Sequence, residues 1–212
     1  SYTYIFPMFL EKLKELTTAE QSKYKIGELL DMFESSSIVV CLVLVTIVTS
    51  LPLPPWGGGF ETIPGGILSL FLAIQGLVGL EQVYLPSFAK QLDIDLGFLK
   101  TSDWTKKIIY WLEKYIKKDR GKWALNPIFE NLMYVLVIPN ALLMIVPIVF
   151  TNGPPSQCIT AMAITWLLYD GLLFGATLGV SIFVIVMYIV LFIVFAKLLY
   201  RTRKTWTFGL WK

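Results

Sequence analysis

The chain has 212 residues, 56% of them hydrophobic and 16% charged, with a mean hydropathy of +0.66 and a net charge of +3. Soluble domains carry roughly 25% charged residues, so the composition assigns this chain to the lipid bilayer and leaves room for one membrane domain with short flanks, not for an added soluble enzyme domain. So small a net charge beside long apolar segments argues against nucleic acid as a partner. Histidine is absent, which removes the commonest general base and the commonest metal ligand. Cys41 and Cys158 stand apart at or near the ends of apolar runs and read as small core residues. No metal and no cofactor are expected.

Residues 1–34 read as two amphipathic N-terminal surface helices. Ile5, Phe9, Leu13 and Leu16 recur at helical spacing opposite Glu11, Lys12, Lys14 and Glu15. After Thr17 and Thr18 a second short helix over 26–33 presents Ile26, Leu29, Leu30 and Phe33 on one side. These helices anchor on the membrane surface or pack against the membrane domain. No cleavable signal peptide is evident, and the first long apolar run, from Ile38, is expected to be retained.

A membrane domain is expected over 35–199, in two halves of similar plan. In the first, an apolar run from Ile38 meets Pro52, Pro54 and Pro55, none of which has the N–H that would continue a helix. A second run follows Pro64 and ends at Glu81. In the second half, a run over 128–150 is expected to be interrupted at Pro139, beside Asn140, a break holds Asn152, Gly153 and Pro154, and a run from Cys158 ends at Asp170. Pro154 stands 90 positions after Pro64, and the same shift places Ala163 on Ala73, Ile164 on Ile74 and Leu167 on Leu77. The expectation is an internal repeat, with halves at 38–81 and 133–171.

A crossing helix needs ~20 residues, and several of these arms are shorter. Lipid-facing backbone cannot stay unpaired, so a broken arm is either re-entrant or, in the case of the run from Ile38, begins its helix earlier, around Ser35. The fold class expected is all-α: a polytopic membrane protein with about five membrane-embedded helices. Gly65, Ser69, Ala73 and Gly76 form a stripe of small residues suited to close helix packing, within the chain or across a homodimer.

The two halves are joined by a basic segment, 98–122. Trp104, Ile108, Trp111, Leu112 and Tyr115 line one helical face, with Lys106, Lys107, Lys114, Lys117 and Lys118 largely on the other. That pattern describes a helix lying in the headgroup layer, with Trp104, Lys107, Trp111, Lys118 and Arg120 as surface anchors. The last apolar run reaches Ala196 and is followed by Lys197 and a cationic C-terminal tail, 200–212, with Arg201, Arg203 and Lys204. Cation bias expects both basic segments on the cytoplasmic side. That requires one segment, 158–175, to dip into the membrane and return to the same face.

Polar residues inside apolar segments are the candidate site: Gln75, Glu81, Asn140, Asn152 and Asp170, lining a polar cavity. A charge at the centre of a membrane helix costs ~2.5–3.5 kcal/mol, so Asp170 either caps the last helix or serves a ligand. Paired interrupted segments in two halves point to transporter-like folds.

Gly27-Glu-Leu-Leu, Leu51-Pro-Leu-Pro, Leu85-Pro86, Leu112-Glu113 ahead of Arg120, Asn152 with Pro154, and Asp170-Gly171 follow one another in order. In this the chain resembles the ExoD family of bacterial membrane proteins, over roughly residues 25–194. The family's pattern tends to an Arg just after the first-half glycine, where Gly79 is followed here by Leu80 and Glu81, and to Pro-Arg where this chain has Asp119-Arg120. The resemblance implies a multi-pass protein of the bacterial inner membrane with a role in exopolysaccharide synthesis or export. It supplies no reaction. Three roles follow: a transporter-like component for a polar or anionic solute, a non-catalytic oligomeric scaffold or assembly factor, and a membrane-embedded transferase acting on a lipid-linked sugar. The transferase is the least expected, because Glu81 and Asp170 are its clear carboxylate candidates and neither is flanked by a DxD motif. The expected partners are the lipid bilayer, a second copy of the chain and the polysaccharide-synthesis machinery.

Overall fold

A computed structural model describes residues 12, 15, 16, 18, 21–33, 36–50, 62–80, 82–95, 107, 110, 114, 120, 121, 123, 126–146 and 153–209. The elements run β1 (Lys23–Lys25), α1 (Ile26–Met32), α2 (Ser37–Ser50), α3 (Thr62–Val78), α4 (Ser87–Lys90), β2 (Asp93–Asp95), α5 (Pro127–Ile145), α6 (Gly153–Leu167) and α7 (Gly171–Gly209). The chain is helical, as expected, with one addition. β1 pairs antiparallel with β2 in a short ribbon that sets Lys23 opposite Asp95 and Lys25 opposite Asp93. Opposite charges facing across strands favour this pairing, and a charge alternation that short carries no helical or apolar period to betray it.

The helices form a bundle whose two ends can be told apart from the contacts. At one end, the near end, Val83 N–H donates to Ser37 Oγ at the start of α2 (3.0 Å). Gly76 of α3 lies against the Tyr134 ring of α5, and Asp170 after α6 meets Arg120. At the far end, Thr49 of α2 meets Ser156 of α6 (2.9 Å) and Gly65 of α3, while Gly66 touches Ala141 and Ile145 of α5. Helices α2–α3 and α5–α6 are therefore two hairpins that start and finish at the near end. The connections between their arms, with Pro52, Pro54 and Asn152, lie outside the described residues.

α2 packs against α3 and α6, and α5 packs against α6 and α3. Exchanging the two hairpins leaves that pattern unchanged. The inward positions of the second arms also correspond. Gly65, Gly66, Ser69, Leu72, Ala73 and Gly76 of α3 are buried, and so are Pro155, Ser156, Ile159, Met162, Ala163 and Trp166 of α6, each 90 positions later. Both arms end in the same cap. Gly79 (φ 78°) donates to the Gly76 carbonyl and Leu80 to that of Gln75; Tyr169 (φ 58°) donates to the Trp166 carbonyl and Asp170 to that of Thr165. This is the Schellman pattern, closed in each case by a residue in the left-handed region.

The core between the hairpins is built from Leu72, Ala73, Met133, Val137, Met144, Ile159, Met162 and Leu167, with Phe174 of α7. The small-residue stripe on α3 is used inside this bundle. A methyl group on Gly66 would meet the Ala141 carbonyl oxygen at 2.8 Å, and one on Gly76 would overlap the Tyr134 ring.

Two helices, α5 and the 171–202 stretch of α7, are long and apolar enough to cross a membrane. α2, α3 and α6 are shorter, at 14, 17 and 15 residues. α7 has 39 residues and starts beside α5 and α6. Cys158, Val184 and Tyr188 pack together with Leu143 and Phe192, while every residue over 193–202 is exposed. Residues 158–175 hold most of α6 and the turn into α7. α6 carries the chain from the far end back to Arg120, and α7 then leads away as one helix that places Arg201 ~45 Å from its start at ~1.5 Å per residue.

Candidate functional site: the turn between α6 and α7

Asp170 is fully buried and serves three structures at once. Its N–H closes the α6 cap. Its Oδ1 accepts from the Leu173 N–H (3.1 Å), as an N-cap side chain does for the third residue of a helix. Arg120 grips it with two prongs, Nε to Oδ1 at 3.1 Å and Nη2 to Oδ2 at 2.7 Å. Such a bidentate, charge-assisted pair is the geometry that makes a buried carboxylate tolerable.

The backbone of the basic segment completes the joint. The Arg120 carbonyl accepts from the Leu172 N–H (3.3 Å), satisfying one of the orphan donors that every helix start leaves. Gly121 takes φ 70°, a conformation that glycine adopts without a Cβ penalty. Its carbonyl lies so close to Gly171 that any side chain there would collide with it. Trp123 then lies over Gly175 and meets Phe129 edge to face, with ring centroids 5.4 Å apart. Asn126 caps α5 by accepting from Ile128 and Phe129, with Pro127 at the first helical position, where its missing N–H costs nothing.

The other expected site residues fall elsewhere. Gln75 clamps the backbone of Tyr84, accepting from its N–H at 2.6 Å and donating to its carbonyl at 3.2 Å. Asn140 donates to the Leu136 carbonyl (2.7 Å) and to Ser181 Oγ on α7 (2.8 Å). Gln75, Asn140 and Asp170 thus have three separate sets of partners and share no hydrogen bond with one another. Glu81 and Asn152 lie outside the described residues, as do Trp104, Trp111 and Lys118; Lys107 is exposed. Arg120, expected as a surface anchor, is the partner of Asp170 and keeps a third of its side chain exposed. Pro139 was expected to break its helix, but α5 continues through it, with the Asn140 side chain bonded to the adjacent turn. Pro64 and Pro154 sit in the first turns of α3 and α6, so they begin helices rather than interrupt them.

Two features were missed from sequence. Thr46, Thr49, Ser156 and Thr160 form a buried or half-buried hydroxyl cluster between α2 and α6, with Thr160 Oγ1 donating to Thr46 Oγ1 (2.7 Å) and Ser156 Oγ to the Thr46 carbonyl (2.9 Å). The spacing signal was present, since 46/49 and 156/160 each share a helical face. The second is Asp93-Ile-Asp95, a DxD arrangement, but its aspartates are exposed in the ribbon opposite Lys25 and Lys23. Among the described residues no three His, Cys, Asp or Glu side chains group in a way that could hold a metal.

Chemically, the α6–α7 turn is a lock. Asp170 has both oxygens engaged by Arg120 and one of them also by Leu173. The family model described as "Exopolysaccharide synthesis, ExoD" matches residues 9–192, and the chain belongs to that family. No curated protein and no solved structure matches it.

Proposed function

We propose that this ExoD-family chain is a non-catalytic membrane component of exopolysaccharide synthesis, an assembly factor built from two duplicated hairpins that enter the bilayer from the same face. Family membership gives the process and the membrane setting. The duplication is supported by the matched caps at Gly79 and Tyr169 and by the matched buried positions of α3 and α6. Repeats in the same orientation are related by an axis along the membrane normal.

The membrane placement follows from α7. Its exposed stretch over 193–200 is apolar around the helix except for Lys197, and such a surface belongs in hydrocarbon. Lys197 can snorkel to the interface. α7 therefore runs on for ~13 Å, from Phe192 to Arg201, beyond the level of its last contacts with the two hairpins. On this placement the arms of α2–α3 and α5–α6 stop inside the bilayer as re-entrant hairpins, and α7 alone reaches the other side. The near end, with the greater share of Lys and Arg, faces the cytoplasm, and the tail faces out of the cell.

The single observation behind the non-catalytic reading is how the bundle uses its polar side chains. The hydroxyl cluster, the Asn140–Ser181 bond, the Thr165–Thr177 contact (3.1 Å) and the Arg120–Asp170 pair each join two elements. Polar glue of this kind is what membrane helices use for association. One feature favours a second reading, a transporter-like role for a polar or anionic solute: the end of α2 and the start of α6, which adjoin the two Pro/Gly breaks in sequence, hold the hydroxyl cluster. Flux of a labelled sugar phosphate into proteoliposomes tests the choice. Flux no greater than that of protein-free vesicles fits the assembly factor, whereas saturable flux lost in Ser156→Ala would replace it with the transporter.

A further inference from the structure

The Arg120–Asp170 pair is asymmetric. The Asp170 side chain is 0% exposed and that of Arg120 34%. A guanidinium offers five N–H donors in a fixed fork, and Asp170 takes Nε and one Nη2 position. Nη1 has no partner among the described residues. The outer edge of the fork is therefore held in place from within and turned outward. The same turn contains a non-glycine residue in the left-handed region, Tyr169, and two glycines fixed by contact. The α6 cap and these close backbone contacts fix the turn on both sides of the Arg120 side chain.

The surroundings indicate what the outer edge meets. Trp123 is 61% exposed and Ile128 76% exposed, on the two sides of Asn126 where α5 begins. An exposed indole beside an apolar helix start is the mark of the headgroup layer. A planar, preorganised arginine edge matches phosphate oxygens two at a time, which lysine cannot do. We infer that Arg120 binds the phosphate of an anionic lipid headgroup through its outer edge, with Asp170 as the positioning residue. The inference rests on the membrane setting of the chain but not on its role as an assembly factor.

The test uses the full chain in detergent, with retention of phosphatidylglycerol, phosphatidylcholine or inorganic phosphate read by native mass spectrometry. Wild-type protein is expected to retain phosphatidylglycerol over phosphatidylcholine. The double variant Arg120→Gln/Asp170→Asn keeps a neutral hydrogen-bonded pair and is expected to lose about tenfold of that preference. Lys107→Gln, an exposed cation, should lose no more than the roughly fivefold owed to any single surface charge. Equal losses in the two would reduce the effect to general charge attraction and overturn the site. Should the double variant not fold, Arg120→Lys decides, since it keeps the charge and loses the planar fork; an unchanged preference there overturns the inference. Displacement of the lipid by millimolar inorganic phosphate would assign the edge to free phosphate and overturn the lipid assignment. None of these outcomes depends on solute flux, so the binding site and the proposed cellular role fail separately.

Discussion

Arg120 and Asp170, 50 residues apart in sequence, meet through two hydrogen bonds of 3.1 and 2.7 Å and thereby fix the basic segment to the start of the longest helix. Breaking a buried pair by removing one partner costs about 3–5 kcal/mol, because the other charge is left uncompensated. Arg120→Ala and Asp170→Ala should each lower the midpoint of thermal unfolding in detergent. The double variant Arg120→Met/Asp170→Leu should recover much of that loss in Arg120→Ala. Asp170→Asn keeps the cap and should fall between Asp170→Ala and wild type. If Arg120→Ala is as stable as wild type, the pair does not lock the turn.

Gly76 offers a packing test. A methyl group there would overlap the Tyr134 ring, and overpacking of this kind costs typically about 1–3 kcal/mol. Gly76→Ala should destabilise the protein by that order, and Gly76→Leu by more. Adding Tyr134→Ala to Gly76→Leu should restore part of the loss. Equal stability of Gly76→Leu and wild type in a detergent melt would mean that α3 does not press on α5 as described.

The hydroxyl cluster should contribute modestly. Hydrogen bonds between membrane helices measured by double-mutant cycles average ~0.6 kcal/mol and reach ~1.7. A cycle of Thr49→Val and Ser156→Ala should give a coupling within that range, read from unfolding in detergent. A coupling of zero would leave the 2.9 Å contact without energetic weight.

Topology is decided by labelling. In a background with Cys41 and Cys158 replaced by serine, single cysteines at Tyr84, Lys107 and Arg201, all exposed, should divide two against one. A membrane-impermeant reagent applied to intact cells should modify Arg201→Cys and spare Tyr84→Cys and Lys107→Cys. Modification of all three, or of none, would return the tail and the basic segment to one side and rule out the placement of α7.

The sequence made the hairpin arms legible because their signals are local. Pro64 and Gly79 bracket α3, and the shift of 90 residues that relates Pro64 to Pro154 also relates the buried faces of the two second arms. The site was harder. Asp170 stood out as a charge in an apolar run, but no periodicity links it to Arg120, which sat among lysines that suggested a surface helix. The signal available was the pair of doublets Arg120-Gly121 and Asp170-Gly171, each a charge beside a glycine that lets two backbones touch. The path of α7 was hard to read for another reason. Cation bias weighs two basic segments alike and does not tell which end of an unbroken helix is tied to the bundle. Asn140 and Gln75 were legible as buried amides, but their partners, Ser181 and the Tyr84 backbone, are set by how helices cross.

The unequal reach of the helices has a mechanical consequence. On the proposed placement, and among the described residues, α2, α3, α5, α6 and α7 lie side by side on the Arg120 side of the bilayer, whereas α7 alone continues over the last ~13 Å. The protein then displaces more lipid on one side than on the other. An inclusion shaped in this way is a wedge, at lowest strain where the membrane bends away from its broad side. Its distribution would follow curvature, and a cluster of copies would bend the sheet that holds them.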